Sequence, residues 1–311
     1  MNRLIIGCAL CTLALLHTAF ASSRLDALES CTVSGAGRKD IAGGSLESLL
    51  SIWSDTGIPS IPASVTRDGV AIFADVNAFR RFRGIDLKYG TNDVSGLMWS
   101  DIRDLNIVKS NQQPLKSAQV STLQSVFMSM AGRPERRLCI SSQTIPLAKI
   151  VEAAEMVDIF PQIYLESGRY KVLKDWKKAS VNGKSVLALT FWPPNKLDSD
   201  SAKGLENRLE KLFRNSEKDA HAAVDVARFY MAVEYSTNSV PRLFPSEKLF
   251  KEMVSSFHAK NVRVEVYLWR TENFNRAYKL LWDMGVDSFL LPTPAAVKSL
   301  REKLSGVKAD K

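Results

Sequence analysis

The sequence predicts an α/β fold, a (β/α)8 TIM barrel with an insertion between strands 2 and 3. Three observations carry this. Short β-type runs alternate with amphipathic helical stretches over nearly the whole chain after its first residues, which is the pattern of a parallel sheet. Eight such runs can be placed, and eight favour a closed barrel over an open sheet. No glycine-rich dinucleotide fingerprint follows the first run, because Gly35-Ala36-Gly37 is too short for that motif.

Residues 1–21 read as a secretory signal. Arg3 is their only charge, an apolar run from Leu4 to Leu16 follows, and Ala19-Phe20-Ala21 offers a small-x-small cleavage site after Ala21. The run is short for a membrane span and lacks a basic stop-transfer flank. The expected location is therefore secreted or periplasmic. Residues 22–311 then form one barrel domain, of a length common for such folds. Removing the leader lowers the formal net charge from +9 by one, to +8. That excess suits a small anionic or phosphate-containing ligand or an anionic membrane surface. The basic residues are scattered among acids with no aromatic-basic module, so nucleic acid is not expected. Cys31 and Cys139 are the cysteines left, and neither has a Cys or His neighbour at metal-ligand spacing. They are free to pair or to stay as buried thiols.

The strands expected are Cys31–Gly35, Ile58–Val65, Arg137–Ser141, Gln162–Glu166, Ser185–Phe191, Arg228–Tyr235, Arg263–Trp269 and Ser288–Leu291. Between them fall helices at Leu46–Asp55, Ser121–Ala131, Leu147–Met156, Tyr170–Ala179, Ala202–Asn215, Ser246–Lys260 and Asn273–Met284. Ser121 with Gln124 three residues on, and Ser246 followed by Glu247, give start signals; Gly285 gives a stop. The stretch Val70–Gln119 breaks the rhythm with a short apolar run at Val70–Phe73 and a small helix near Ser100–Leu105. It reads as the insertion.

Three segments in chain order carry a resemblance. The first is SIPASVTRDGVAIFAD at Ser60–Asp75, with Thr66, Asp68 and Gly69 in a Thr-x-Asp-Gly turn and Asp75 after the apolar run that follows. The second is GLMWSDIRDL near Val94–Leu105, followed by VSTLQSVF at Val120–Phe127. The third is RVEVYLWRTENFNRAYKLLWDMGVDSFLLPTP at Arg263–Pro294, with Trp269 and a Gly-Val-Asp before the last strand. Together these resemble the glycerophosphodiester phosphodiesterase family of phospholipase-C-like barrels. The resemblance implies catalytic and metal positions that this chain fills with other residues. The His-Arg pair ending strand 1 falls at Gly37-Arg38, and the Glu-x-Asp metal pair of strand 2 falls at Ser60 and Pro62. The second histidine falls at Ala74, the strand 3 metal glutamate at Ser141, and the lysine after it at Gln143.

The histidine count points the same way without any alignment. Residues 22–311 hold only His221 and His258, both within expected helices, whereas barrel sites are built at strand C-termini. Diester cleavage needs a proton donor and acceptor, and a divalent metal needs clustered oxygen ligands. No catalytic residue, metal site or cofactor is therefore assigned. Candidates for a ligand pocket at the mouth are Arg38, Gln143, Glu166, Arg169, Trp192, Glu234, Trp269 and Arg270. Arginines hold phosphate as bidentate donors, and tryptophans supply flat walls or a cation–π face. The main reading is a catalytically degenerate binding barrel. A divergent phosphoric diester hydrolase of lipid metabolism is one alternative. A glycosidase-like hydrolase using Glu166 and Glu234 as its carboxylate pair is the other.

Overall fold

The computed structural model describes residues 32–34, 44–55, 57–74, 94–104, 119–191, 204, 207, 223–235, 241–269 and 274–304. The expected leader, Cys31, and most of the expected helix Ala202–Asn215 lie outside them.

The strands follow the sequence expectation closely. In chain order they are β1 (Thr32–Ser34), β2 (Ile58–Val65), β3 (Ala71–Ile72), β4 (Leu138–Thr144), β5 (Ile163–Ser167), β6 (Lys184–Phe191), β7 (Val226–Tyr235), β8 (Pro241–Phe244), β9 (Arg263–Trp269) and β10 (Ser288–Phe289). Eight of them run parallel in the order β1-β2-β4-β5-β6-β7-β9-β10. A parallel bridge between Val33 and Leu291 joins the two ends, with the Leu291 N–H donating to the Thr32 carbonyl at 3.0 Å. The sheet is thus a barrel of eight parallel strands. β3 and β8 are short antiparallel flaps on β2 and β7. The short apolar run expected at Val70–Phe73 contains β3. The β8 flap, PRLF, offered too short a signal to be placed.

The helices are α1 (Leu46–Ser54), α2 (Trp99–Ile102), α3 (Leu123–Met130), α4 (Leu147–Glu155), α5 (Tyr170–Ala179), α6 (Glu247–His258), α7 (Phe274–Asp283) and α8 (Pro294–Leu304). One cap differs from expectation. The N-cap of α3 is Thr122, whose hydroxyl accepts from the Ser125 N–H at 3.0 Å, and Ser121 lies one residue outside. The Thr122 hydroxyl reaches the third N–H of the helix, which satisfies a donor that the first turn leaves open.

Alternation along the strands sorts the core. Outward residues pack beneath the helices in two large clusters. Ile61, Ala63, Leu138, Ile140 and Leu165 belong to one, and Leu187, Leu189, Phe229, Val264, Val266 and Phe289 to the other. Every second residue faces the barrel interior. The lowest interior level is an apolar plug of Ile58, Cys139, Val186 and Val226, with Tyr164 packed against it.

Candidate functional site

Directly above the plug the interior turns polar. Ser60, Glu166 and Arg228 each stand two residues beyond a plug residue of their own strand, namely Ile58, Tyr164 and Val226. Side chains on six of the eight barrel strands meet at this level. Arg228 is 1% exposed and stands at the centre. Its Nε donates to Glu265 Oε1 at 2.5 Å. One Nη donates to Glu166 Oε2 and, at 3.1 Å, to the Ser60 hydroxyl. The other donates to the Thr32 hydroxyl at 3.1 Å. These bonds span from β7 to β5, β9, β2 and β1, so they cross the barrel.

The two carboxylates are completed by hydroxyl groups. Thr32 and Ser288 donate to Glu265 Oε2 at 2.7 and 3.3 Å, and Tyr230 donates to Glu166 Oε1 at 2.7 Å. Buried ions persist only when paired and hydrogen-bonded in this way. One guanidinium thus faces two carboxyl groups at this level. Cys139 is a free, fully buried thiol whose sulfur lies 3.9 Å from Glu166 Oε2. Burial, above all, pushes its thiol up to about 12, while Arg228 pulls the other way and Glu166 adds to the rise. The thiol therefore stays protonated at neutral pH and is no nucleophile. Burial, and then the Glu166 charge, likewise raise the Tyr230 hydroxyl.

The next level toward the strand C-termini is aromatic. Tyr230 and Tyr267 stand two residues beyond Arg228 and Glu265, and their rings meet at 5.5 Å in a tilted pair. Register places Pro62 beside Ser141 at the corresponding height of β2 and β4. The tyrosines form the floor of the mouth, and the ion cluster lies beneath them.

The expected pocket residues divide accordingly. Arg38, Trp192 and Arg270 lie outside the described residues. Gln143 is the sixth residue of β4, inside the strand rather than after it, because β4 runs on to Thr144. Trp269 ends β9 in register with Ala232. Arg169 is the exposed N-cap of α5. Glu166, expected at the rim, is 2% exposed and committed to Arg228 and Tyr230. The stagger of the barrel explains the difference: the end of β5 pairs with Val186, near the start of β6, so it lies low in the interior. Glu234 pairs with Arg242 of the β8 flap. It stands six residues beyond Arg228, or about 20 Å of strand. The two glutamates therefore occupy different levels of the barrel, unlike a carboxylate pair that flanks one bond. His258 ends α6 on the outer surface, where its Nε2 lies 2.8 Å from Asp287 Oδ2.

The Thr-x-Asp-Gly pattern has a structural use. The Thr66 hydroxyl donates to Asp68 Oδ1 at 2.6 Å, and the Trp99 N–H donates to the same oxygen at 2.9 Å. These two bonds hold the Asp68 carboxyl below its ordinary range. Gly69 follows at φ +84°, a left-handed value that suits glycine. The pattern ties the β2–β3 turn to α2 of the insertion.

Positions that the resemblance assigns to metal ligands do come together, but with the wrong chemistry. Ser60 pairs with Cys139, Pro62 pairs with Ser141, and the Ser60 hydroxyl already accepts from a guanidinium. A serine, a proline and a serine offer no carboxylate to a divalent cation. The residues do not fit a metal.

Missing from the sequence reading were Arg228 and Glu265. Each had a signal: a charge at an interior position of an otherwise apolar strand, in VARFYM and RVEVYL. Parallel barrel strands are buried on both faces, so such a charge calls for a partner.

Comparison with solved structures shows which barrels share this fold. A glycerophosphoryl diester phosphodiesterase from Parabacteroides distasonis superposes with a TM-score of 0.60 at 13% identity, covering 91% of this chain and 88% of its own. The glycerophosphodiester phosphodiesterase from Agrobacterium tumefaciens gives 0.59 at 11% identity, covering 87% and 99%. An Oleispira antarctica phosphodiesterase, in complex with the product sn-glycerol-3-phosphate, gives 0.53 at 15% identity, covering 87% and 96%. No protein-family model and no curated protein matches the sequence. At these identities the likeness shows the fold: this chain has the barrel of the glycerophosphodiester phosphodiesterases.

Proposed function

We propose that this chain is an exported, non-catalytic barrel of the glycerophosphodiester phosphodiesterase type that binds a small phosphate-containing ligand at the C-terminal mouth of its strands. One observation carries the reading. The fold brings positions 60, 62 and 141 to adjacent strands of one interior, and these hold Ser60, Pro62 and Ser141 in place of carboxylates. With Gly37 and Ala74 at the histidine positions of the resemblance, the chain lacks both proton-transfer groups and metal ligands there. A barrel without that chemistry can still hold a ligand at its strand C-termini, where such folds build their sites. The Oleispira barrel holds sn-glycerol-3-phosphate, and the basic excess of this chain favours an anion of that kind.

The phosphate holder cannot be Arg228, whose guanidinium is engaged by Glu166 and Glu265. Arg38, the arginine of the strand 1 pair in the resemblance, is the proposed holder. Calorimetric titration with sn-glycerol-3-phosphate should give one site per chain. Arg38→Gln should weaken it by about 10- to 150-fold, corresponding to about 1.5–3 kcal/mol for a charged hydrogen bond. A variant that melts normally and binds as well as wild type would remove Arg38 from the site. A wild type that binds neither this ligand nor glycerophosphocholine would overturn the ligand reading.

A further inference from the structure

We infer that the interior of this barrel is a cation site whose occupant is the chain's own Arg228 guanidinium. The inference stands on buried side chains alone and does not need the ligand reading above. Oxygen atoms from four strands converge on the guanidinium: Glu166 Oε2, Glu265 Oε1, the Ser60 hydroxyl and the Thr32 hydroxyl. Ser288 and Tyr230 support the two carboxylates from behind. An all-oxygen cage with two carboxylates is the donor set of a hard cation.

The placement bears on the resemblance. Ser60, where the resembling family keeps a metal carboxylate, accepts a hydrogen bond from Arg228 at 3.1 Å. Ser141, the position of its strand 3 glutamate, is in register with Glu166. The acids of this interior stand on β5 and β9, and their counter-charge is tethered to β7. A fixed guanidinium needs no metal supply, and it repels a divalent ion from the same cage. An emptied cage would present two carboxyl groups and two hydroxyls, oxygen donors of the kind that the adaptable shell of Ca²⁺ accepts.

Removal of the tethered cation should therefore leave a site that an added cation fills. The test compares wild type with Arg228→Ala by thermal melting in millimolar CaCl₂, in low-millimolar guanidinium chloride, and in NaCl of matched ionic strength. Wild type should not respond to either cation beyond the NaCl control. Arg228→Ala should melt lower and should be raised by Ca²⁺ or by guanidinium. Calorimetry should show one Ca²⁺ per chain, and the added change Glu265→Gln should weaken that binding at least tenfold. If Arg228→Ala does not fold alone, recovery on refolding with either cation supports the inference equally. An Arg228→Ala protein that neither cation stabilises or refolds would overturn it, as would a response equal to that of wild type.

Discussion

Arg228→Met should lower the free energy of unfolding by about 3–5 kcal/mol, measured by urea denaturation of the purified chain. Lost packing does not set this figure, because methionine fills much of the same stem volume. The cost comes from Glu166 and Glu265, which are 2% and 4% exposed and would keep their burial without their counter-charge. Breaking a buried pair from one side is expensive because the remaining ion is uncompensated. The triple variant Arg228→Met, Glu166→Leu, Glu265→Leu should be clearly more stable than the single variant, since no buried charge remains. It should not reach wild type, because Tyr230, Thr32 and Ser288 would lose their acceptors at about 1 kcal/mol or more each. A single variant within about 1 kcal/mol of wild type would show that the cluster has little effect on stability.

A second large effect lies on the other face of the same strand. Phe229→Ala should cost about 3–5 kcal/mol. Phe229 is fully buried, stacked on Phe191 at 5.6 Å, with Phe250 and Phe257 edge-on at 5.4 and 5.9 Å. It joins β6 and β7 to α6, so truncation opens a cavity in the largest core cluster. Phe229→Leu should cost less, because part of the volume is kept. Affinity at the mouth should be unchanged in folded Phe229→Leu protein, since the ring faces the helices. A loss below about 1 kcal/mol on denaturation of Phe229→Ala would mean that the cluster collapses around the gap.

Neighbouring residues on β7 thus show what the sequence revealed and what it concealed. Phe229 belongs to the outward apolar alternation that made the strand recognisable, and the same signal placed β2, β6 and β9 within one or two residues. Tyr170–Ala179 was legible at both ends. The level of each residue along the barrel axis was not legible. Strand pairing fixes it, and the stagger between β5 and β6 lowered Glu166 from the rim into the ion cluster. Arg228 and Glu265 were readable only as charges in apolar strands. Their mutual contact joins residues 37 apart in sequence, and the Arg228–Thr32 contact joins residues 196 apart. No local pattern encodes such pairs. Ser60, Pro62 and Ser141, the positions taken from the resemblance, lie on the adjacent strands β2 and β4, with Pro62 in register with Ser141. The guanidinium beside Ser60 had no counterpart in the motif and came from the structure.

A barrel with the phosphodiesterase fold and without its chemistry, as proposed, should leave a glycerophosphodiester intact. The most direct test is phosphorus NMR of glycerophosphocholine incubated with the purified chain in Mg²⁺ or Ca²⁺. The diester resonance should persist unchanged, with hydrolysis no faster than in the protein-free control. A phosphomonoester resonance that grows in proportion to protein concentration, and that EDTA abolishes, would contradict the account.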